Sequence, residues 1–142
     1  MASWKNNILI HAPADKVFAY VDDPVNLPDW IPGMTEIRNV IGTGAGQQYE
    51  WSYKMAGILL PGQATVVEHV PNECTVHQNI GAIDSIWKLT VEPDEEGTRL
   101  EIHLEYHIPI PVIGKLAERI LLRRNVREFD MSLVNIKDVM EA

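Results

Sequence analysis

Arg99-Leu100-Glu101-Ile102-His103-Leu104-Glu105-Tyr106-His107-Ile108 alternates polar and apolar side chains without a break. Successive strand residues point to opposite faces, so this run has a wet face and a dry one. The same alternation sets Tyr49, Trp51, Tyr53 and Met55 against Gln48, Glu50, Ser52 and Lys54, and Trp87 falls on the dry side with them. Period-two segments occupy 34–41, 47–56, 62–70, 74–80, 83–92 and 98–108. Gly42 to Gly46, Gly57 to Pro61, Pro71-Asn72, Gly81-Ala82 and Pro93 to Gly97 divide them. Connections this short force antiparallel neighbours.

Beyond the last strand, Leu122, Val126, Phe129, Leu133, Ile136 and Met140 alternate in steps of four and three, with no breaker after Gly114. This predicts a helix from about Val112 to Glu141 whose stripe lies on the dry face of the sheet. Before the first long strand, residues 3–11 read as a further strand, and Pro13 suits the first turn of a helix. Ala14, Val17, Phe18 and Val21 give that helix an inward face, and Asp23-Pro24 starts a second, short helix with Leu27, Trp30 and Ile31 buried. The expectation is one α+β domain over 1–142, in the order β-α-α-β-β-β-β-β-β-α.

The 142 residues hold 46% hydrophobic and 23% charged side chains, the balance of an ordinary globular domain. Twelve Lys and Arg against twenty Asp and Glu leave a charge of -8, which argues against a nucleic-acid partner. The opening apolar run Ile8-Leu9-Ile10 is too short for a signal segment or a membrane span, so stable membrane insertion is not expected. Cys74 stands alone and fits a reducing, cytoplasmic setting; it reads as an ordinary strand residue.

Ala12-Pro13-Ala14-Asp15-Lys16-Val17-Phe18, Asp23-Pro24 with Trp30-Ile31-Pro32, and Gly97-Thr98-Arg99-Leu100, in this order and spacing, resemble the START-like (SRPBCC) superfamily. The likeness is greatest to its polyketide cyclase/dehydrase and coenzyme Q-binding branch. The resemblance implies a helix-grip fold, a curved antiparallel sheet of about seven strands around a long C-terminal helix. It also implies a cavity for a lipid, quinone, polyketide or similar ligand, and no particular reaction. No cofactor is implied.

Tyr49, Trp51, Tyr53, Trp87, Leu104, Tyr106 and Phe129 are the candidate lining, where rings supply contact area and phenols orient a ligand. The leading reading is a carrier or sensor of a hydrophobic small molecule. A cyclase or dehydratase-like enzyme would draw on Tyr53 and Tyr106 with Glu68 or His69. Those last two are adjacent on a strand and face opposite ways, and the flanking valines leave open which points inward. A ligand-free interaction module would need side chains to fill the cavity.

His103, Glu105 and His107 share a strand face, but it is the wet face, and no metal site is expected there. Gly42-Thr43-Gly44-Ala45-Gly46 precedes a strand rather than a helix and reads as a hairpin, not a phosphate loop. Arg119, Arg123 and Arg127 with Arg124 read as a solvated helix face. The apolar connectors Ile58-Leu59-Leu60-Pro61 and Ile108 to Ile113 either rim an entrance, consistent with transient membrane contact, or fold onto the core.

Overall fold

The computed structural model describes residues 2–107 and 115–142, and the backbone alone for 115–117 and 119. The strands are β1 Ala2–Ile10, β2 Met34–Ile41, β3 Gln48–Met55, β4 Ile58–Val70, β5 Cys74–Gly81, β6 Ser85–Asp94 and β7 Gly97–Tyr106. Among the described residues three α-helices accompany them: α1 Ala14–Asp22, α2 Leu27–Trp30 and α3 Lys115–Met140. All seven strands form one antiparallel sheet in the order β1-β7-β6-β5-β4-β3-β2. This is the helix-grip architecture. The connector from Ile108 to Ile113 lies outside the described residues.

α1 starts where Pro13 cannot donate a hydrogen bond but its carbonyl accepts from Val17 N–H at 3.0 Å. Thr98 ties the preceding turn to β7 by donating to the Ala12 carbonyl at 2.7 Å. Asp23 ends the segment by accepting from Val25 N–H at 3.1 Å, which starts the short 3-10 turn leading into α2.

β7 follows the predicted alternation throughout, with Leu100, Ile102, Leu104 and Tyr106 buried. β4 is longer than expected. Ile58 to Pro61 belong to the strand itself, after a tight turn through Ala56 and Gly57, both at positive φ. Leu60 is buried while Leu59 is 61% exposed, so this apolar segment alternates like any strand and does not lie flat on the core.

α3 is 26 residues long, about 39 Å at 1.5 Å per residue. Its inward stripe is not the predicted one at the N-terminal end. Leu121, Asn125, Phe129, Ser132, Leu133 and Ile136 are buried, whereas Val126 is 44% exposed and Leu122 only half-buried. The expected stripe followed hydrophobic identity, and a polar residue holds the inward place. Asn125 is buried because its amide donates to the Tyr106 hydroxyl at 3.0 Å.

The other end of α3 is clamped to β1. Trp4 Nε1 and Asn6 Nδ2 both donate to Asp130 Oδ1 at 3.0 Å, and Lys137 Nζ donates to the Leu9 carbonyl at 2.8 Å. The Trp4 ring lies 5.4 Å from Phe129, and Trp4 lines neither of the cavities described below. Burying Leu121, Phe129, Leu133 and Ile136 contributes roughly 6–12 kcal/mol at 1.5–3 kcal/mol each, as large as the net stability of a typical domain.

The observed stripe separates two truncations that hydropathy alone ranks alike. Leu133→Ala should cost about 2–5 kcal/mol in urea unfolding and Val126→Ala less than about 0.5 kcal/mol. Equal costs would mean that α3 is rotated from the position described.

Candidate functional site

The site arises from how three strands line up. Cross-strand pairing sets Tyr49 opposite Ala64 and Ala64 opposite Asn79; one step along, Trp51 faces Gly62. The β4 residues at these points have little or no side chain. The large β3 rings therefore lean over β4 and reach β5. Trp51 Nε1 donates to Asn79 Oδ1 at 3.0 Å, and the Tyr49 hydroxyl meets His77 Nδ1 at 2.7 Å. A Cβ on Gly62 would stand 2.0 Å from the Trp51 ring, so only glycine fits beneath it.

β5 is inverted relative to its neighbours. Thr75, His77 and Asn79 are its buried side chains, while Gln78 and Ile80 are exposed. The pairing of Thr75 with Leu89, His77 with Trp87 and Asn79 with Ser85 holds this polar row on the dry face.

Two small adjoining cavities lie between these strands and the helices. Ile31, Met34, Trp51, Asn79 and Trp87 line both. The first is completed by Tyr53, Met55, Ile83, Ser85, Leu104, Tyr106 and Phe129, the second by Val21, Leu27, Trp30, Tyr49, His77 and Leu89. Six of the seven candidate lining residues thus border the first cavity, and Tyr49 borders the second.

Counted at the centres of water-sized spheres, the cavities hold about 50 and 30 Å³. One water needs roughly 10–15 Å³ on this measure, so the space admits a few waters, and a larger guest must part the walls. Met34, Met55 and the half-buried Trp87 are the adaptable parts of that wall.

Burial decides the protonation of the polar groups. It lowers His77 to about 4, against smaller opposing help from Asp22, so the ring is neutral at pH 7. A neutral imidazole carries one proton, so the hydroxyls of Tyr49 and Thr75, at its two nitrogens, take opposite donor and acceptor roles. Tyr49 is raised by burial and then by Asp22; Tyr53 by burial and then by Glu128; Tyr106 mainly by burial. These phenols stay protonated.

The acid-base candidates outside this row lie elsewhere. A bulge between Val66 and Glu68 switches the parity of β4, leaving Glu68 exposed and turning His69 inward opposite Thr75. His69 does not line either cavity. Its Nε2 lies 2.9 Å from Asp22 Oδ2, and its ring packs edge-on to Phe18 at 5.4 Å, joining β4 to α1.

The Cys74 thiol is raised by partial burial and by Glu68. His103 and Glu105 sit on the wet face with nearest atoms 3.8 Å apart, and among the described residues no three His, Cys, Asp or Glu side chains converge as a metal site. Gly42, Gly44 and Gly46 take positive φ in the β2–β3 hairpin. Arg124 pairs with Glu128 at 3.2 Å, and Arg123 and Arg127 are exposed; the Arg119 side chain lies outside the description.

The residues that sequence reasoning missed are His77 and Asn79. Their signal was present but weak: a strand whose polar positions share parity, placed between strands with aromatic and aliphatic dry faces.

Two measurements check this geometry. Because the folded state holds His77 neutral, the unfolded chain binds one more proton between about pH 6.5 and 4, so stability falls as pH drops through that window. The loss is roughly 3 kcal/mol by pH 4, and His77→Gln should lack that part of the acid slope. Gly62→Ala should cost about 1–3 kcal/mol and shift tryptophan emission as Trp51 is displaced; unchanged emission would contradict the contact.

The family model described as polyketide cyclase / dehydrase and lipid transport matches residues 1–141. No curated protein matches the chain. A protein from Thermus thermophilus is similar in structure, with TM-score 0.79 and 17% identity over 96% of this chain and 95% of that one. The Zhui aromatase/cyclase from a Streptomyces species has TM-score 0.77 and 12% identity over 99% and 93%. A Polyketide_cyc-like protein from Corynebacterium glutamicum has TM-score 0.66 and 21% identity over 98% and 91%. These likenesses establish the fold, and the match along nearly all of the sequence establishes the membership: the chain belongs to the polyketide cyclase / dehydrase and lipid transport family.

Proposed function

We propose that this protein carries or senses a hydrophobic or amphipathic small molecule, such as a lipid, quinone or polyketide-like compound, in the cavity between β3, β5, β6, β7 and α3. The observation that carries this reading is an aromatic, mostly apolar wall whose titratable members are all held neutral. Trp51, Tyr53, Trp87, Leu104, Tyr106 and Phe129 supply the contact area, and Tyr49 extends it into the adjoining cavity.

Magnitudes weigh against acid-base catalysis here. An efficient general base titrates near the working pH, and a histidine at about 4 is a weak one at neutrality. Phenols raised above their ordinary value are poor acids. The Tyr49–His77 contact is nevertheless the one feature that favours a cyclase or dehydratase reading, in place of Glu68 or His69. Turnover of a model poly-β-ketone that disappears in His77→Ala would support that reading over the carrier.

A charge of -8 disfavours nucleic acid as a partner, and among the described residues no helix is long and apolar enough to cross a membrane. The lone Cys74 is consistent with a cytoplasmic setting.

Trp51 and Trp87 border the first cavity, so an apolar ligand should change tryptophan emission and raise the melting temperature together. At about 100 times its Kd a ligand adds roughly 2.7 kcal/mol, a shift of about 5–10 °C for a domain of this size. Trp51→Phe should weaken the response more than Trp4→Phe, because Trp4 braces α3 from outside the cavity. Fatty acids, quinones, sterols and aromatic polyketides make up the screen. If no member shifts the midpoint, the carrier reading fails and the interaction module takes its place.

A further inference from the structure

α3 carries a second stripe that the candidate site does not use. Ile120, Arg124, Arg127, Met131 and Val134 recur in steps of four and three on the side turned away from the sheet, with Arg123 beside them. All are exposed, Ile120 by 73%, Met131 by 50% and Val134 by 42%. Apolar residues scattered singly over a surface need no explanation. Three in line between arginines make a continuous strip.

The charge of this strip is at odds with the rest of the chain, which carries -8 overall. The other arginine side chains that the structure describes have oxygen partners. Arg38 pairs with Glu36 at 3.1 Å, Arg99 donates to Asn7 Oδ1 at 2.7 Å, and Arg124 pairs with Glu128 at 3.2 Å. Arg123 and Arg127 make no ion pair among the described residues, although carboxylates outnumber cations. Beside the strip, the β3–β4 turn lies across a groove of about 320 Å³ from Leu121, Arg124 and Glu128. That hairpin adds Leu59, 61% exposed, and Ile58, 36% exposed. Met55 borders both this groove and the first cavity, so the face adjoins one end of the candidate site.

Unpaired guanidinium groups set among exposed apolar side chains match an interface that is anionic at its surface and apolar just beneath. Arginine stems lie along apolar material while their heads reach phosphate oxygens in pairs. A second copy of this chain is a poorer match, because joining two such strips gathers both sets of arginines into one interface. We propose that the outer face of α3 docks the protein on anionic lipid bilayers, with Arg123 and Arg127 on headgroup phosphates and Ile120, Met131 and Val134 at the acyl boundary. The inference goes beyond the carrier reading and needs no guest in the cavity, so the two fail separately.

The test is flotation of the intact protein with phosphatidylcholine vesicles, with and without about one third phosphatidylglycerol. The protein should float with the anionic vesicles only, and molar salt, which cuts the screening length to about 3 Å, should release most of it. Arg123→Gln with Arg127→Gln should weaken the partition at least about tenfold while the melting temperature stays unchanged. Lys5→Gln with Lys88→Gln removes two exposed cations from the wet face of the sheet and leaves the same net charge. It should weaken the partition less than about twofold. Ile120→Ser, at a side chain 73% exposed, should lower it several-fold without loss of stability. Equal losses in the two double variants, or no flotation with either vesicle, would overturn the inference. A dimer in sedimentation that Arg123→Gln with Arg127→Gln dissociates would also overturn it, since the face would then join two copies.

Discussion

The lean of Trp51 and Tyr49 across β4 is the contact on which the site depends. A sheet normally spaces its side chains evenly, each ring standing over its own strand. Here Gly62 and Ala64 leave a gap in the middle row, and the rings of β3 fill it to reach Asn79 and His77 on β5. Two strands that do not pair directly are thereby joined on the dry face by hydrogen bonds of 3.0 and 2.7 Å. The same lean prepares the cavity, because it satisfies the indole of Trp51 and the oxygen of Asn79 and turns the remaining amide hydrogens elsewhere.

The placement of polar groups on a dry face has an electrostatic consequence. With little water to solvate charge, His77 stays neutral and the phenols stay protonated. Such groups recognise and orient a neutral molecule well but exchange protons poorly at pH 7. The proposed carrier reading rests on this neutrality, within a family described as polyketide cyclase / dehydrase and lipid transport.

Much of the fold was legible in the sequence because β3 and β7 alternate cleanly and glycine or proline marks the turns. The antiparallel run from β2 to β7 and the closing helix follow from that alternation and the short connections, whereas the place of β1 beside β7 does not. The candidate site was legible only where hydrophobic and aromatic side chains mark it, at Tyr49, Trp51, Tyr53, Trp87, Leu104, Tyr106 and Phe129. It was illegible at β5, where the register imposed by β4 and β6 turns Thr75, His77 and Asn79 inward against their polarity. Asn125 hid for the same reason, taking a core position that hydropathy assigned to Val126. The choice between Glu68 and His69 turned on a single bulge, and strand parity cannot show a bulge that no glycine or proline marks.

A cavity of a few waters' volume that holds a guest, as proposed, should be found occupied when the guest is present. Native mass spectrometry of the protein isolated from its own cells asks this directly. The account predicts a population heavier than the bare chain by the mass of one neutral, apolar molecule, lost on extraction with organic solvent. Bare chain in every preparation, with no adduct at any ionisation energy, would contradict it.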